Sequence, residues 1–211
     1  AQESRGLGDV YKRQVAGAIW MFYRATRYDS MRAWAALGFF CGCAFLTKYS
    51  ALIQFAAFFL YLLVTGKLLR AQTWKGILLA TVILLVMVAP HLMWLKQQAA
   101  GPIAYAGSEM VPLETYWLEI KDLSGFLVTN LGRIAAMILA IAVLAIWAGR
   151  QYKLTPKSAR PAKIASELAA SDRFFLLFIG LAPLVLTLLV AGAMKVPLAA
   201  HWATTFFVLF G

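Results

Sequence analysis

The residues best suited to chemistry lie in the middle of a long apolar stretch, residues 33–66. Lys48 is the only charged residue of that stretch, and Thr47, Tyr49 and Ser50 beside it carry hydroxyl groups. An ammonium next to several hydroxyl donors suits a phosphate group at a membrane surface. A lysine that caps a tight turn and extends its ammonium towards water would give the same pattern. The sequence therefore predicts a phosphate site at Lys48 and Tyr49, with the simple turn as the alternative.

A second set of candidate residues lies close to the end of the chain. Lys195 and the adjacent pair His201 and Trp202 stand in a short gap between apolar runs. An imidazole can hydrogen-bond a sugar or phosphate oxygen, and an indole can stack on the face of a sugar ring. Anchoring at the membrane interface is the alternative for all three residues.

Three further residues extend the candidate set. Arg133 lies inside an apolar run, where a charge needs a partner or a polar cavity and is a functional hypothesis by default. His91 follows Pro90 near the end of another run, and a purely structural histidine is the alternative there. Glu109 lies in an acidic and aromatic gap that could line a sugar site or form a solvated loop.

The length of the apolar stretch predicts a helix break at Lys48. A single helix over its 34 residues would run to about 51 Å, against a hydrocarbon core of about 30 Å. It would also leave Lys48 near the middle of the membrane, where a lysine costs roughly 2.5–3.5 kcal/mol. No acidic residue of the stretch could pair with it. Two short helices that turn at Lys48 remove both problems.

Composition indicates an integral membrane protein. The chain is 62% hydrophobic and only 14% charged, whereas soluble domains carry about 25% charged residues. We therefore predict an all-α, polytopic transmembrane bundle with about seven membrane segments, of which the first and the last are truncated. The apolar runs are residues 15–23, 33–47, 49–65, 76–95, 123–148, 174–193 and 199–210.

Charge and cysteine content exclude some partners. The formal charge of +11 comes from cations in the short gaps between apolar runs, which is typical of loops beside a lipid bilayer rather than of nucleic-acid binding. Cys41 and Cys43 lack zinc or thioredoxin spacing and are predicted to be small buried residues. No metal cluster and no cofactor site is evident in the sequence. Residues upstream could hold a divalent metal that this sequence does not show.

The gaps between apolar runs alternate in charge. Gaps 24–32, 67–75 and 150–173 are rich in lysine and arginine, whereas gap 96–122 holds four acidic residues against two lysines. By the positive-inside rule the basic gaps are cytoplasmic, 150–173 as a linker, and 96–122 is an extracytoplasmic loop. The turn at Lys48 then faces the outside, together with the second set of candidates.

The first fourteen residues look foreign to the protein. Ser4 to Gln14 look like the translation of a widely used transposase sequencing adapter over eleven consecutive residues. Segments of this kind must be set aside before fold reasoning. We therefore predict that residues 1–14, the foreign segment, are not native, and that residues 15–211 are a fragment of one transmembrane domain.

The order of these features resembles a known family of enzymes. The segment Leu46-Thr47-Lys48-Tyr49-Ser50 between apolar runs, then Pro90-His91-Leu92-Met93-Trp94 and finally His201-Trp202, look like the bacterial glycosyltransferase family 39 group. That group is related to the lipid A aminoarabinose transferases and the protein O-mannosyltransferases, and all of them share the GT-C membrane fold.

The resemblance implies a reaction and a location. It implies an enzyme of the bacterial inner membrane that moves a sugar from a polyprenyl-phosphate donor to a lipid or protein acceptor at the extracytoplasmic face. It also implies a catalytic aspartate in a loop that would precede residue 15, so this fragment alone is expected to be inactive. A multi-pass transporter and a membrane scaffold are the alternatives. The absence of Asp and Glu from all seven runs counts against ion-coupled transport.

Overall fold

The computed structural model describes residues 2–97 and 163–194, with residues 121, 124–129, 132, 139, 142–143 and 146–147 between them. Its elements in these residues are all helical: α1 (Gln2–Tyr28), α2 (Met31–Thr47), α3 (Ala51–Val64), a 3-10 turn (Lys67–Leu69), α4 (Ala71–Gln97) and α5 (Lys163–Met194). The predicted all-α class is confirmed for this part of the chain. Helix α5 begins inside the predicted linker, because residues 163–173 are mostly good helix formers.

Two helices are long and apolar enough to cross a membrane. They are α4 and, within α5, the segment Ala170–Ala193. A core helix of a soluble protein would be mostly buried, whereas only 17% of the most apolar window of α4 and 39% of that of α5 are buried in the bundle. Apolar side chains that face outward along a helix match a lipid environment. Helices α2 and α3 are shorter apolar helices of 17 and 14 residues.

The helix break predicted at Lys48 is present. Helix α2 ends at Thr47, Lys48 adopts an extended conformation with φ −152° and ψ 125°, and α3 begins at Ala51. The Lys48 N–H still donates to the Ala44 carbonyl of α2, with an N to O distance of 2.9 Å. Residues 48–50, the Lys48 turn, therefore close one helix and open the next.

Short local signals set the ends of α2 and α3 that lie away from this turn. Ser30 is the N-cap of α2, and its hydroxyl oxygen accepts from the Ala33 N–H at 3.4 Å. Asp29 has a φ of 48°, a left-handed conformation that aspartate adopts more readily than most residues. Gly66, with a φ of 68°, follows α3. A residue without Cβ can take this conformation at no steric cost, so the chain turns sharply there.

Helices α2 and α4 run in the same direction, because successive residues of the two helices face each other in order: Trp34 with Gly76, Gly38 with Ala80 and Gly42 with Met87. Helix α1 runs opposite to α2. Phe22 meets the ring of Trp34 near the start of α2, while Gly17, earlier in α1, meets Phe40 further along α2.

The basic gaps meet at one end of the bundle, which we call the basic end. Lys67 donates from Nζ to the Thr26 carbonyl in the last turns of α1, at 2.8 Å. Burial lowers the pKa of Lys67, and the negative end of the α1 dipole offsets this cost. Tyr23 donates from its hydroxyl to the Asp172 carboxylate of α5, at 3.0 Å. The Lys48 turn lies at the opposite end, since α2 leads away from the basic end and α3 returns to it.

Glycines bring α2 and α4 into close contact. Gly38 and Gly42 stand four residues apart on α2, and Gly76 stands on α4. A Cβ at Gly38 would lie 2.9 Å from the Ala80 Cα, and one at Gly76 would collide with the Trp34 ring. Small residues four apart let helix backbones approach in a membrane, where van der Waals packing joins helices. We call these three residues the glycine seam.

A cluster of aromatic rings around Phe22 joins α1 to three other helices. Phe22 is fully buried and stacks on Phe58 of α3, with ring centroids 4.4 Å apart. It also meets Trp34 of α2 and Phe175 of α5, with centroids 6.2 and 6.1 Å away. Aromatic pairs of this kind contribute about 0.5–1.5 kcal/mol each beyond their buried area. The ring cluster therefore holds α1, α2, α3 and α5 together on the side of the basic end.

We expect Gly38→Ala to weaken the contact between α2 and α4 more than Gly42→Ala does. The new methyl group at Gly38 would meet the backbone of Ala80, which moves only with its helix, whereas that at Gly42 would meet the flexible side chain of Met87. Overpacking against a rigid neighbour costs typically about 1–3 kcal/mol. In detergent, size-exclusion chromatography after heating should show a lower midpoint for Gly38→Ala. Equal midpoints for the two variants would show that helix spacing at Gly38 is not limiting.

Candidate functional site

The Lys48 turn presents a partly buried ammonium at the end of the bundle opposite the basic end. Burial lowers the pKa of Lys48, and among the residues that the structure describes no carboxylate forms an ion pair with it. Helix α2 ends directly before the turn and α3 starts directly after it, so the negative end of one helix dipole and the positive end of the other both lie beside Lys48. The Lys48 ammonium itself favours an anion at this position.

Two contacts to this part of the chain come from residues 1–14, the predicted foreign segment. The Lys48 Nζ lies 5.8 Å from the centre of the Tyr11 ring, and the Thr47 hydroxyl lies 2.9 Å from the Gln14 Oε1. The Thr47 hydroxyl also bonds the Cys43 carbonyl of its own helix, at 2.9 Å. The last contact depends on no residue of the predicted foreign segment, whereas part of the environment of Lys48 comes from that segment.

Tyr49 connects the Lys48 turn to α4. Its hydroxyl lies 2.7 Å from the His91 Nε2, across 42 residues of chain. The His91 ring stacks on Trp94, with centroids 5.6 Å apart and planes at 23°. Tyr49 also packs against Phe45 of α2, with centroids 5.3 Å apart. Phe45, Tyr49, His91 and Trp94 form one contiguous group, the aromatic cluster, which bridges α2 and α4.

Lys48 and Tyr49 reach towards different neighbours. The Lys48 ammonium lies over the ring of Tyr11 in the predicted foreign segment, whereas the Tyr49 phenol reaches α4. The sequence grouped Tyr49 with Lys48 and treated His91 separately, but the structure joins Tyr49 to His91. The Tyr49 hydroxyl therefore has a protein partner in His91, and its predicted part in phosphate binding stays a prediction.

The other predicted site residues lie outside the described residues. They are Glu109, Arg133, Lys195, His201 and Trp202. Of the predicted extracytoplasmic loop 96–122, the structure describes only residues 96, 97 and 121. The roles predicted for all of these remain predictions.

Gln54 is a polar residue that the sequence analysis did not single out. It is only 6% exposed, lies one turn into α3 after Ser50, and its Nε2 has no hydrogen-bond partner in the part of the chain that the structure describes. A buried amide donor without a partner costs about 1–3 kcal/mol. An amide inside the apolar run 49–65 was the signal that could have drawn attention to it.

The cysteines and acidic residues of the described chain form no metal site. Cys41 is buried and Cys43 is partly buried, and both are free thiols. The prediction of a small buried residue is thus confirmed for Cys41, while Cys43 keeps some exposure. No group of three or more His, Cys, Asp or Glu side chains that could hold a metal ion occurs within the described ranges.

An apolar cavity of about 190 Å³ lies between α2, α3 and α4. Cys41, Phe55 and Leu84 form the part of its wall that lies nearest to the Lys48 turn along each helix. Phe55 follows Ser50 by little more than one helical turn, so the cavity begins close to the turn. Its lining is almost entirely aliphatic and aromatic, which suits a hydrocarbon chain.

These features indicate a class of protein, namely a helical membrane protein in which a turn at one end of the bundle favours an anion. A family model described as dolichyl-phosphate-mannose-protein mannosyltransferase matches residues 13–94, fewer than half of the chain but all of α2, α3 and the Lys48 turn. The match confirms the resemblance to the family 39 glycosyltransferases and indicates a membrane glycosyltransferase of the GT-C type. No curated protein and no solved structure matches the chain.

We expect a cysteine placed at Ser50 to react with a membrane-impermeant thiol reagent in intact cells, and a cysteine placed at Gln72 not to react. Both positions are exposed and lie at opposite ends of the bundle, and the positive-inside rule puts Gln72 in the cytoplasm. Cys41 and Cys43 are replaced by alanine in both variants.

Permeabilised cells supply the control for this experiment, because the cysteine at Gln72 should react once the reagent can enter. Labelling of Gln72→Cys alone in intact cells would reverse the topology. It would also move Lys48 to the cytoplasmic face.

Proposed function

We propose that this chain is part of a glycosyltransferase of the bacterial inner membrane. The enzyme moves a sugar from a polyprenyl-phosphate donor to a lipid or protein acceptor at the extracytoplasmic face. The family match supports glycosyl transfer, and it includes the Lys48 turn. A polyprenyl phosphate combines an anionic head with an apolar chain, and the turn and the neighbouring cavity offer one environment for each part.

The observation that carries the proposal is the ammonium of Lys48 in the turn between α2 and α3, which has no ion-pair partner within the described residues. During transfer the bond between sugar and phosphate breaks, and negative charge collects on the departing polyprenyl phosphate. A cation that is already in place meets this charge without reorganisation, and such preorganised groups lower the barrier most. We assign this role to Lys48.

The apolar cavity between α2, α3 and α4 supports a lipid-linked donor. Its wall begins about one helical turn from the Lys48 turn, at Phe55. A donor whose phosphate contacts Lys48 could place its first isoprene units against this wall. Burial of each CH₂ group there contributes about 0.8 kcal/mol, so the chain can supply much of the binding free energy.

The remaining roles fall to residues beyond the described ones. Activation of the acceptor oxygen needs a general base, and the family resemblance implies an aspartate upstream of residue 15. Lys195 and His201 are proposed as further donors to phosphate or sugar, and Trp202 as a surface that stacks on a sugar ring. Arg133 and Glu109 stay candidates for the lining of the sugar site.

In the full-length protein we expect Lys48→Ala to lower kcat for transfer by roughly a hundredfold to a thousandfold, the usual effect of removing one preorganised donor. Lys48→Arg should keep part of the activity, because the charge persists on a group of different shape. Transfer of radiolabelled sugar from a polyprenyl-phosphate donor by purified protein measures both variants.

Lys75→Ala is the matched control, because it removes an exposed lysine at the basic end and should transfer sugar normally. Normal transfer by Lys48→Ala, with only expression or stability altered, would contradict the assigned role. The alternative, in which Lys48 only caps the turn and extends its ammonium towards water, would then explain its position.

We also expect the pH profile of kcat/KM to fall on its alkaline side through the pKa of Lys48. Burial lowers this pKa from the ordinary value of a lysine, so the ammonium is lost as pH rises through the lowered pKa. Arginine stays protonated throughout this range, so Lys48→Arg should lack this limb of the profile. Identical alkaline limbs in the two proteins would assign the titration to another group.

A further inference from the structure

One side-chain hydrogen bond ties the Lys48 turn to α4 within the described residues, and it joins the Tyr49 hydroxyl to the His91 Nε2 at 2.7 Å. A hydroxyl and an imidazole can form this bond in either direction: Tyr49 donates to an unprotonated Nε2, or Nε2–H donates to the Tyr49 oxygen. Both forms hold the two rings in the same place. The bond therefore fixes the position of the Tyr49 side chain whichever tautomer His91 adopts.

The surroundings of His91 keep its ring in one orientation. Trp94, one turn further along α4, stacks on it with planes at 23°. The glycine seam fixes the position of His91 along the axis of the bundle, because Gly42 faces Met87 and His91 follows Met87 by one helical turn. His91 thus stands on α4 directly after Pro90, where its ring is held between Trp94 and a turn of only three residues.

We propose that His91 is a positioning residue for Lys48, which it holds in place through Tyr49. The inference rests on the proposed function of the Lys48 turn. The Cα atoms of neighbouring residues are about 3.8 Å apart, so a held Tyr49 leaves the Lys48 backbone little freedom to shift. Without the bond, the turn and the Lys48 ammonium can move relative to the phosphate. The affinity for the phosphate and the contact of Lys48 with the transition state then both become weaker.

The test measures binding of geranylgeranyl phosphate to the full-length protein in detergent, together with kcat/KM for transfer. Tyr49→Phe and His91→Phe each remove the hydrogen bond and keep an aromatic ring. Each should weaken phosphate binding by about threefold to tenfold, the range for one hydrogen bond. The double variant should be no weaker than either single variant, because both lose the same bond. His91→Gln, whose amide can still bond the phenol, should recover most of the affinity.

A Lys48→Ala background separates positioning from a general structural role. If His91 acts through Lys48, His91→Phe should cause no further loss of phosphate affinity once Lys48 is gone. Tyr28→Phe is the matched control, since it removes an exposed tyrosine hydroxyl at the basic end and should change nothing.

Three results would overturn the inference. Unchanged affinity and kcat/KM in Tyr49→Phe and His91→Phe, with Lys48→Ala still impaired, would remove the positioning role and leave the proposed function standing. A loss in His91→Phe that persists in the Lys48→Ala background would give His91 a role independent of Lys48. Full affinity and transfer in Lys48→Ala would overturn both the inference and the proposed function.

Discussion

The close contact of α2 with α4 is the constraint on which the site depends. The glycine seam leaves no room for a side chain between Gly38 and the Ala80 backbone, so the distance and the register of the two helices are set together. This register places His91 opposite Tyr49. Because a hydrogen bond weakens steeply beyond about 3.2 Å, a wider spacing or a shift by one residue would separate this pair.

Cations at opposite ends of the bundle have different partners. At the basic end Lys67 donates to a helix carbonyl and Arg70 lies 3.9 Å from Asp29. At the other end Lys48 is partly buried and has no such partner among the described residues. A buried charge without compensation is costly, and proteins keep such groups where a ligand supplies the opposite charge. An anion bound at Lys48 would supply the opposite charge that its surroundings lack.

The helix break could be predicted from the sequence because it depends on a local conflict. A lysine in the centre of a helix of 34 apolar residues would lie too far from either membrane surface. A turn formed by its immediate neighbours removes this conflict. The beginning of α5 could not be placed in the same way, since residues 163–173 mix charged and apolar side chains and yet continue an apolar helix. The buried amide of Gln54 was also missed, because an isolated glutamine in an apolar run carries no sign of which face it occupies.

The sequence by itself determined the all-α class, the membrane character, the break at Lys48 and the family resemblance, because composition, run length and local motifs act over a few residues. Only the tertiary structure decided that Tyr49 meets His91. The spacing of Gly38 and Gly42 is visible in the sequence, but their contact lies about forty residues away on α4. Such pairings depend on how helices pack, and no local pattern specifies which surfaces will meet.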